Sequence, residues 1–221
     1  MLSVGTPVDP SRHYGASYAD WQVPIGVFGG HANLPKFAPF VRPEDCVLDF
    51  GCGGGYLLKR LECADRAGIE INRIAREAAC ARGITVHDSI ETVPDEWADV
   101  LISNHALEHV SQPLTVLRQL LPKLVPGGRV VFVVPSESVR HRYKPHDINQ
   151  HLYTWSPMAL GNLFTAAGFA VEASQPYLHK WPPYYATLER MFGQRVFHML
   201  AGGYGHLSRR VSQVRLIGRR P

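Results

Sequence analysis

The chain has 221 residues and a mass of 24.6 kDa, enough for one large domain that buries its own core without disulfides or metals. Apolar residues make up 45% and charged residues 19%, which excludes a mainly disordered chain, and no apolar run reaches the ~20 residues of a membrane span. The net charge is +4, yet from residue 173 onward eight Lys and Arg face the single acid Glu189, so a basic C-terminal segment follows a slightly acidic body.

The opening MLSVGTPVDP has neither a basic start nor an apolar stretch, which argues against a secretory leader. Cys46, Cys52, Cys63 and Cys80 form no CxxC pair, so a reducing cytoplasm is expected rather than a disulfide framework or a cysteine zinc site. Residues 1–30 are rich in Gly, Pro and Tyr, and 1–42 read as an N-terminal arm or lid in which His31–Val41 predicts a helix ending before Pro43. One domain is expected over 43–221. Its short apolar runs predict strands over Cys46–Phe50, Arg66–Ile71, Ile84–His87, Asp99–Ser103 and Arg129–Val134. Amphipathic stretches lie between them at Gly55–Leu61, Asn72–Ala81 and Pro113–Leu124. The runs are apolar throughout rather than alternating, as in strands covered on both faces, and the repetition argues for a parallel sheet with right-handed crossovers.

Pro126-Gly127-Gly128 predicts a turn that ends the preceding helix and launches the strand Arg129–Val134. Residues 135–155 form a polar loop of about twenty residues, a length that in a compact domain signals function. Ser156 reads as a helix N-cap, with Pro157 at the first position and Gly168 as the stop. Phe169–Tyr177 and Val211–Ile217 are candidate strands, and Pro183–Leu200 a candidate helix within a second substrate-lining segment, 178–208.

The strongest local signal is Asp49-Phe50-Gly51-Cys52-Gly53-Gly54-Gly55, a buried strand running into a glycine-dense turn. Glycines there permit a sharp turn and a close approach of ligand to backbone. A P-loop for ATP fails, because no GK[ST] follows. The dinucleotide pattern G-x-G-x-x-G meets Tyr56 at its sixth position. The pattern D-x-G-x-G-x-G is met in full by Asp49, Gly51, Gly53 and Gly55.

On these residues the chain resembles the class I S-adenosylmethionine-dependent methyltransferases over roughly residues 43 to 173. Four further segments are similar to that family in order: Glu70-Ile71-Asn72, His87-Asp88-Ser89-Ile90, Ser103 to Val110, and Leu121 to Val130. The resemblance implies an α/β fold, a Rossmann-like doubly wound mostly parallel sheet of about seven strands with helices on both faces. It implies S-adenosylmethionine as cofactor, with Glu70 on the ribose, Asp88 on the adenine amine and an apolar neighbour over the ring. The implied binding set is Asp49, Phe50, Gly51, Cys52, Gly53, Gly55, Glu70, Ile71, Asn72, Asp88, Ser89, Ile90, Asn104 and His105. Three carboxylates at successive strand ends suit a cofactor that carries a sulfonium and an ammonium better than a pyrophosphate.

Methyl transfer is an in-line displacement that gains much from alignment, and an alcohol acceptor also needs a base. His105, just past the fourth strand, is the first candidate, either as base or as a side chain packed against the cofactor. His146, with Asp147 as orienter, is the second. His105-Ala106-Leu107-Glu108-His109 also spells H-x-x-E-H, a protease metal motif, but at a strand-to-helix junction and without a third ligand. The resemblance to ubiquinone-type O-methyltransferases implies Glu-x-x-Glu-His for a divalent cation, and here His105 stands at the first Glu. His141, His146 and His151 recur every five residues, which does not align two ligands on a helix, so the loop reads as substrate-lining and no metal is expected.

Tyr14, Tyr18, Trp21, Phe28 and His31 would shape the acceptor pocket if the arm folds over the rim, with Lys180 to Tyr185 as the opposite wall. The reading is O-methylation of a small-molecule hydroxyl, and the basic tail suggests an anionic acceptor such as a nucleotide-linked or lipid-linked sugar. No nucleic-acid partner and no integral membrane association are expected, and the oligomeric state is left open. The alternatives are N- or C-methylation of a small molecule, RNA methylation, and a nucleotide-binding Rossmann protein without methyl transfer. The absence of an N/D-P-P-Y motif, whose place Asn104-His105-Ala106-Leu107 takes, counts against base N-methylation.

Overall fold

The computed structural model describes residues 26–138, 140–145, 147, 149–207 and 213–221. Seven strands form one sheet in the order β3-β2-β1-β4-β5-β7-β6. They are β1 (Cys46–Phe50), β2 (Asp65–Ile69), β3 (Thr85–His87), β4 (Ala98–Asn104), β5 (Leu124–Pro135), β6 (Ala170–Pro176) and β7 (Gln213–Arg219). β1 to β5 pair in parallel, and β7 runs antiparallel to both β5 and β6. This is the expected Rossmann-like, mostly parallel sheet. The chain steps outward from β1 to β3 and then jumps across to β4, so a cleft opens beyond the carboxyl ends of β1 and β4.

The apolar runs serve two cores at once, because successive side chains point to opposite faces. Leu48, Leu101, Val130 and Phe132 face one side, where Phe164 of the helix Pro157–Ala167 packs on Phe132 with centroids 5.1 Å apart. Val47, Val100, Ile102 and Val131 face the other side, against Phe37 and Leu58. A third, smaller cluster joins Phe28 and Ala32 to Phe197 and Ala201, which anchors the N-terminal segment to the helix Tyr185–Leu207.

Two helix ends follow the sequence closely. Asn72 caps Arg73–Cys80 by accepting from the Ala75 N–H at 3.0 Å. Ser156 caps Pro157–Ala167 by accepting from the Ala159 N–H at 3.1 Å, and Gly168 ends that helix at φ 106°. Other expectations need correction. Gly55–Leu61 forms turns and a short 3-10 segment, Leu58–Arg60, because Gly55 sits at φ +75° and cannot begin a right-handed helix. Pro126-Gly127-Gly128 lies inside β5 rather than before it. The backbone there keeps its pairing through a register shift, with Gly127 N–H donating to Arg220 O at 3.0 Å. The expected helix over Pro183–Leu200 starts at Tyr185, runs to Leu207, and breaks at Gly193, whose φ is 77°. His31–Val41 is split: residues 26–32 are helical, followed by Leu34–Phe37 and a 3-10 turn over Ala38–Phe40 that ends before Pro43. Among the described residues no helix is long and apolar enough to cross a membrane.

Candidate active site

The three patterned glycines have three different neighbourhoods, all at positive φ. A Cβ on Gly51 would meet the Ala106 Cβ at 2.4 Å, and one on Gly55 would meet Ile84 Cδ1 at 2.4 Å. These two glycines let the loop pack. A Cβ on Gly53 would meet nothing within 4 Å. Gly53 therefore presents bare backbone to the open cleft, the arrangement a ligand needs for close approach. The loop is fastened behind: Gly51 N–H and Cys52 N–H both donate to Ile69 O, at 2.8 and 3.2 Å. Phe50 stacks on Phe132, and its carbonyl accepts from the buried Ser103 hydroxyl at 2.8 Å, tying β1 to β4 beside the cleft. Cys52 is buried over Gly68, and burial pushes its thiol well above the ordinary range, so it serves packing and not reactivity.

Two acids sit at the floor and wall. Asp49 is buried, and desolvation, reinforced by the nearby Glu70 charge, pushes its carboxyl up to about 7. Glu70 spans the loop and the next strand: Oε2 accepts from Gly53 N–H at 2.9 Å and Oε1 from Asn72 N–H at 2.8 Å. Burial raises the Glu70 pKa, and those two backbone donors oppose it. Asp88 is exposed past β3. Ile90 packs into the core and is only 8% exposed, whereas Ile71, beside Glu70, is 68% exposed.

Across the cleft, β4 ends on Asn104, whose Oδ1 accepts from the Lys36 ammonium at 2.9 Å. Lys36 is buried on the turn Leu34–Phe37, and desolvation lowers its pKa to about 7 against the pull of Glu108. His105 adopts φ +58°, a left-handed conformation that a non-glycine residue keeps only under constraint from its surroundings. The constraint includes its N–H donating to Val133 O at 2.9 Å. Burial, then the neighbouring Lys36, push its imidazole down to about 3, although a third of the side chain faces the cleft. The ring is therefore neutral.

Below it lies Glu108, fully buried, with its carboxyl raised to about 8 by desolvation. Three imidazoles surround its Oε1: His105 Nδ1 at 3.5 Å, His109 Nε2 at 3.8 Å and His151 Nε2 at 3.9 Å. The loop after β5 docks onto the same residue, with Leu152 N–H and Tyr153 N–H donating to Glu108 O at 2.9 and 3.2 Å. Glu137 Oε1 lies 2.7 Å from His151 Nδ1. Sequence spacing set His141, His146 and His151 together as loop histidines; the fold instead unites His151 with His105, Glu108 and His109. The ubiquinone-type Glu-x-x-Glu-His set is not met, since its first position is His105.

His146 lies outside the described residues, as do Tyr14, Tyr18 and Trp21 of the arm. Asp147 is exposed and accepts from Asn149 N–H at 3.2 Å within its own turn. Phe28 packs on Phe197, Trp181 and Tyr185. Two residues that the sequence did not single out reach this rim. Lys36 is a lone cation in an apolar turn, and Gln213, at the start of β7, donates to His179 O at 3.2 Å and raises the His105 pKa against burial.

The basic C-terminal segment is less uniform than its composition suggested. Arg219 pairs with Glu172, and Arg220 with Glu96 at 3.1 Å, both near the amino end of Arg129–Val134 and away from the cleft. Arg215 lies over the rings of Tyr177 and Phe40, at 4.7 and 5.3 Å. Arg209 and Arg210 lie outside the described residues.

The chain matches the family profile described as a methyltransferase domain over residues 30–174. It is similar to the ubiquinone biosynthesis O-methyltransferase of Aliivibrio fischeri, with 32% identity over 107 residues, 42% of this chain and 45% of that protein. The match thus spans under half the length of that relative. Its fold is similar to the methyltransferase solved with the Trm112 activator of Haloferax volcanii, with a TM-score of 0.68 at 17% identity, covering 98% of this chain and 100% of that one. It is also similar to phosphoethanolamine N-methyltransferase 2 of Haemonchus contortus, solved with S-adenosyl-L-methionine, with a TM-score of 0.59 at 15% identity, covering 88% and 52%. Matched by the family profile over well more than half its length, the chain belongs to the methyltransferase-domain family.

Proposed function

We infer that the acceptor is a hydroxyl on a small molecule and that His105 takes its proton. The observation that carries this reading is the position of His105, held in a left-handed backbone conformation just past the end of β4 with a third of its side chain exposed. As the acceptor O–H gives its proton to the imidazole, its oxygen forms a bond to the methyl carbon. The carbon–sulfur bond breaks, its electron pair stays on sulfur, and S-adenosylhomocysteine remains. One positive charge leaves the sulfonium and one appears on the imidazolium. The similarity to an O-methyltransferase supports the same acceptor atom.

On this reading the cofactor lies over Gly53, with its ribose on Glu70, its adenine between Ile71 and Asp88, and its amino-acid end toward Asp49. The acceptor enters between residues 135–155 and 178–208, in a cytoplasmic setting. An anionic sugar-linked acceptor keeps its place in the test, although the pairing of Arg219 and Arg220 with acids leaves only part of the basic segment for it. The experiment is a His105→Ala variant assayed on a panel of phenols, nucleotide sugars and amines, with cofactor affinity measured in parallel. We expect unchanged S-adenosylhomocysteine affinity and a loss on the order of 10²–10⁴ in turnover on a hydroxyl acceptor. Undiminished turnover, or transfer confined to amines, would overturn the assignment.

A further inference from the structure

We propose that the outward face of the helix Tyr185–Leu207 is a docking surface for an anionic membrane, on which the protein lies without crossing it. The inference holds whichever acceptor is methylated, and the helix lies outside residues 30–174 that the family profile matches.

The inner face of this helix is Phe197, Ala201 and Gly205, buried at every fourth position. Gly205 lets the helix sit against the chain that precedes it, since a Cβ there would meet the Leu178 backbone at 2.8 Å. Two residues turn a helix by about 200°, so Met199, Gly203 and Leu207 point the opposite way. Met199 is 68% exposed and Leu207 84%, and Leu200 beside them is exposed too. Ahead of the break at Gly193, Met191 and Phe192 are exposed as well, and Tyr184 stands exposed just before the helix begins. The side of a helix that faces away from the core of a soluble domain is ordinarily polar. Here it carries large apolar side chains, which marks an interaction surface.

Charge selects the partner. Glu189, the single acid from residue 173 onward, is engaged by His31 Nε2 at 2.8 Å, and only 18% of its side chain is exposed. Arg190 and Arg195 are exposed, and neither makes an ion pair with a described acid. Apolar side chains flanked by unpaired arginines match a layer of anionic headgroups over acyl chains. The arginines meet the phosphates, and the methionines, leucines and Phe192 enter the boundary beneath them. Methionine side chains are flexible and suit a fluid partner. A second copy of the chain would set this cationic face against another cationic face. A nucleic acid would meet the arginines and leave the apolar side chains in water. The helix is rooted beside the cleft: Lys180 N–H donates to Ala201 O at 3.1 Å, and Gln213 Nε2–H to His179 O at 3.2 Å. Docking therefore brings the rim at the start of β7 toward the lipid surface.

The test mixes the full chain with sedimentable vesicles, either of phosphatidylcholine alone or of phosphatidylcholine and phosphatidylglycerol in equal parts. The bound fraction is measured against lipid concentration and salt. We expect saturable binding to the mixed vesicles, weakened by salt, and little binding to phosphatidylcholine alone. Arg195→Gln should weaken binding by about fivefold, the worth of one cation at an anionic surface. Met199→Glu should weaken it by about tenfold or more, through the lost burial of an apolar side chain. Both side chains are exposed in the fold, and circular dichroism checks that the variants are folded. Wild type that fails to bind the mixed vesicles at low salt would overturn the proposal, and so would equal binding by wild type and the Arg195→Gln, Met199→Glu double variant. A dimer in sedimentation velocity that Met199→Glu abolishes, without vesicle binding, would assign the face to a second copy instead. RNA binding that Arg195→Gln weakens and Met199→Glu leaves unchanged, again without vesicle binding, would assign it to nucleic acid. None of these readouts uses methyl transfer, so failure here and failure of the O-methylation reading are separate results.

Discussion

Glu70 holds Gly53 in place. The carboxylate Oε2 accepts from the Gly53 N–H at 2.9 Å, so the residue expected to bind ribose also fixes the one glycine of the three patterned ones that faces open space. Glu70→Ala removes both functions. We expect S-adenosylhomocysteine affinity to fall by roughly 1.5–3 kcal/mol, the worth of hydrogen bonds to a charged acceptor. Glu70→Gln keeps a side-chain oxygen for one backbone donor and should fall less. Titration calorimetry on the folded variants checks this, and unchanged affinity in Glu70→Ala removes the residue from the site.

The glycines separate packing from binding. Gly51→Ala drives a Cβ into Ala106, and Gly55→Ala drives one into Ile84 and Ala79, so both should lower the unfolding midpoint clearly. Gly53→Ala meets no neighbour and bears mainly the left-handed backbone cost of about 1–2 kcal/mol. Its larger effect should be on cofactor affinity, and Gly53→Val should abolish binding while the core still unfolds cooperatively. The reverse ranking of midpoints would mean that Gly53 serves the loop's packing instead of the ligand.

Asp49 and Lys36 predict opposite pH dependences of stability. Asp49 rises from 3.8 unfolded to about 7 folded. Between those values the folded state holds the extra proton, so this residue makes stability fall as pH rises. Lys36 drops from 10.5 to about 7, so above neutrality the unfolded state holds the extra proton and stability rises with pH. Each slope is at most about 1.4 kcal/mol per pH unit. Denaturation series from pH 4 to 10 on Asp49→Asn and Lys36→Met should each flatten their own limb. Cofactor binding should also release a proton below pH 7, because the cationic ligand favours ionised Asp49. Asp49→Asn should abolish that release in calorimetry with buffers of different ionisation enthalpy.

Local rules made the fold legible. β1 appears at Cys46–Phe50 as expected, and Asn72, Ser156, Pro157 and Gly168 mark helix ends by capping chemistry that acts within a few residues. The meeting of Asp49, Gly53 and Glu70, the residues expected to hold the cofactor, was legible for the same reason: they lie at or just past strand ends whose positions the apolar runs specify. The cluster around His105 and Glu108 was not, because its partners come from different strands and turns. Lys36 reaches Asn104 from the N-terminal segment, and His151 reaches Glu108 across the loop after β5. No period along the chain records such meetings. The helix expected at Gly55–Leu61 failed because apolar spacing carries no information about the left-handed φ of Gly55. Ile71 and Ile90 show the same limit: both are apolar, and only the fold decides which one is exposed.

Nucleic acid gives the sharpest contrast for the basic segment. Its eight cations invite an RNA reading, and each phosphate neutralised would add about 0.7–0.9 to the slope of log affinity against log salt. Arg219 and Arg220 are already paired with Glu172 and Glu96, and Arg215 is sandwiched near Phe40 and Tyr177, so these three do not form one open stripe. Gel shifts and a salt series with generic RNA and DNA should therefore show weak binding and a shallow slope. A nucleotide-sugar panel run alongside should show methyl transfer with mild salt dependence if the acceptor is anionic. Tight, salt-steep RNA binding without methylation of any small hydroxyl compound would place the enzyme among the RNA methyltransferases and displace the small-molecule acceptor.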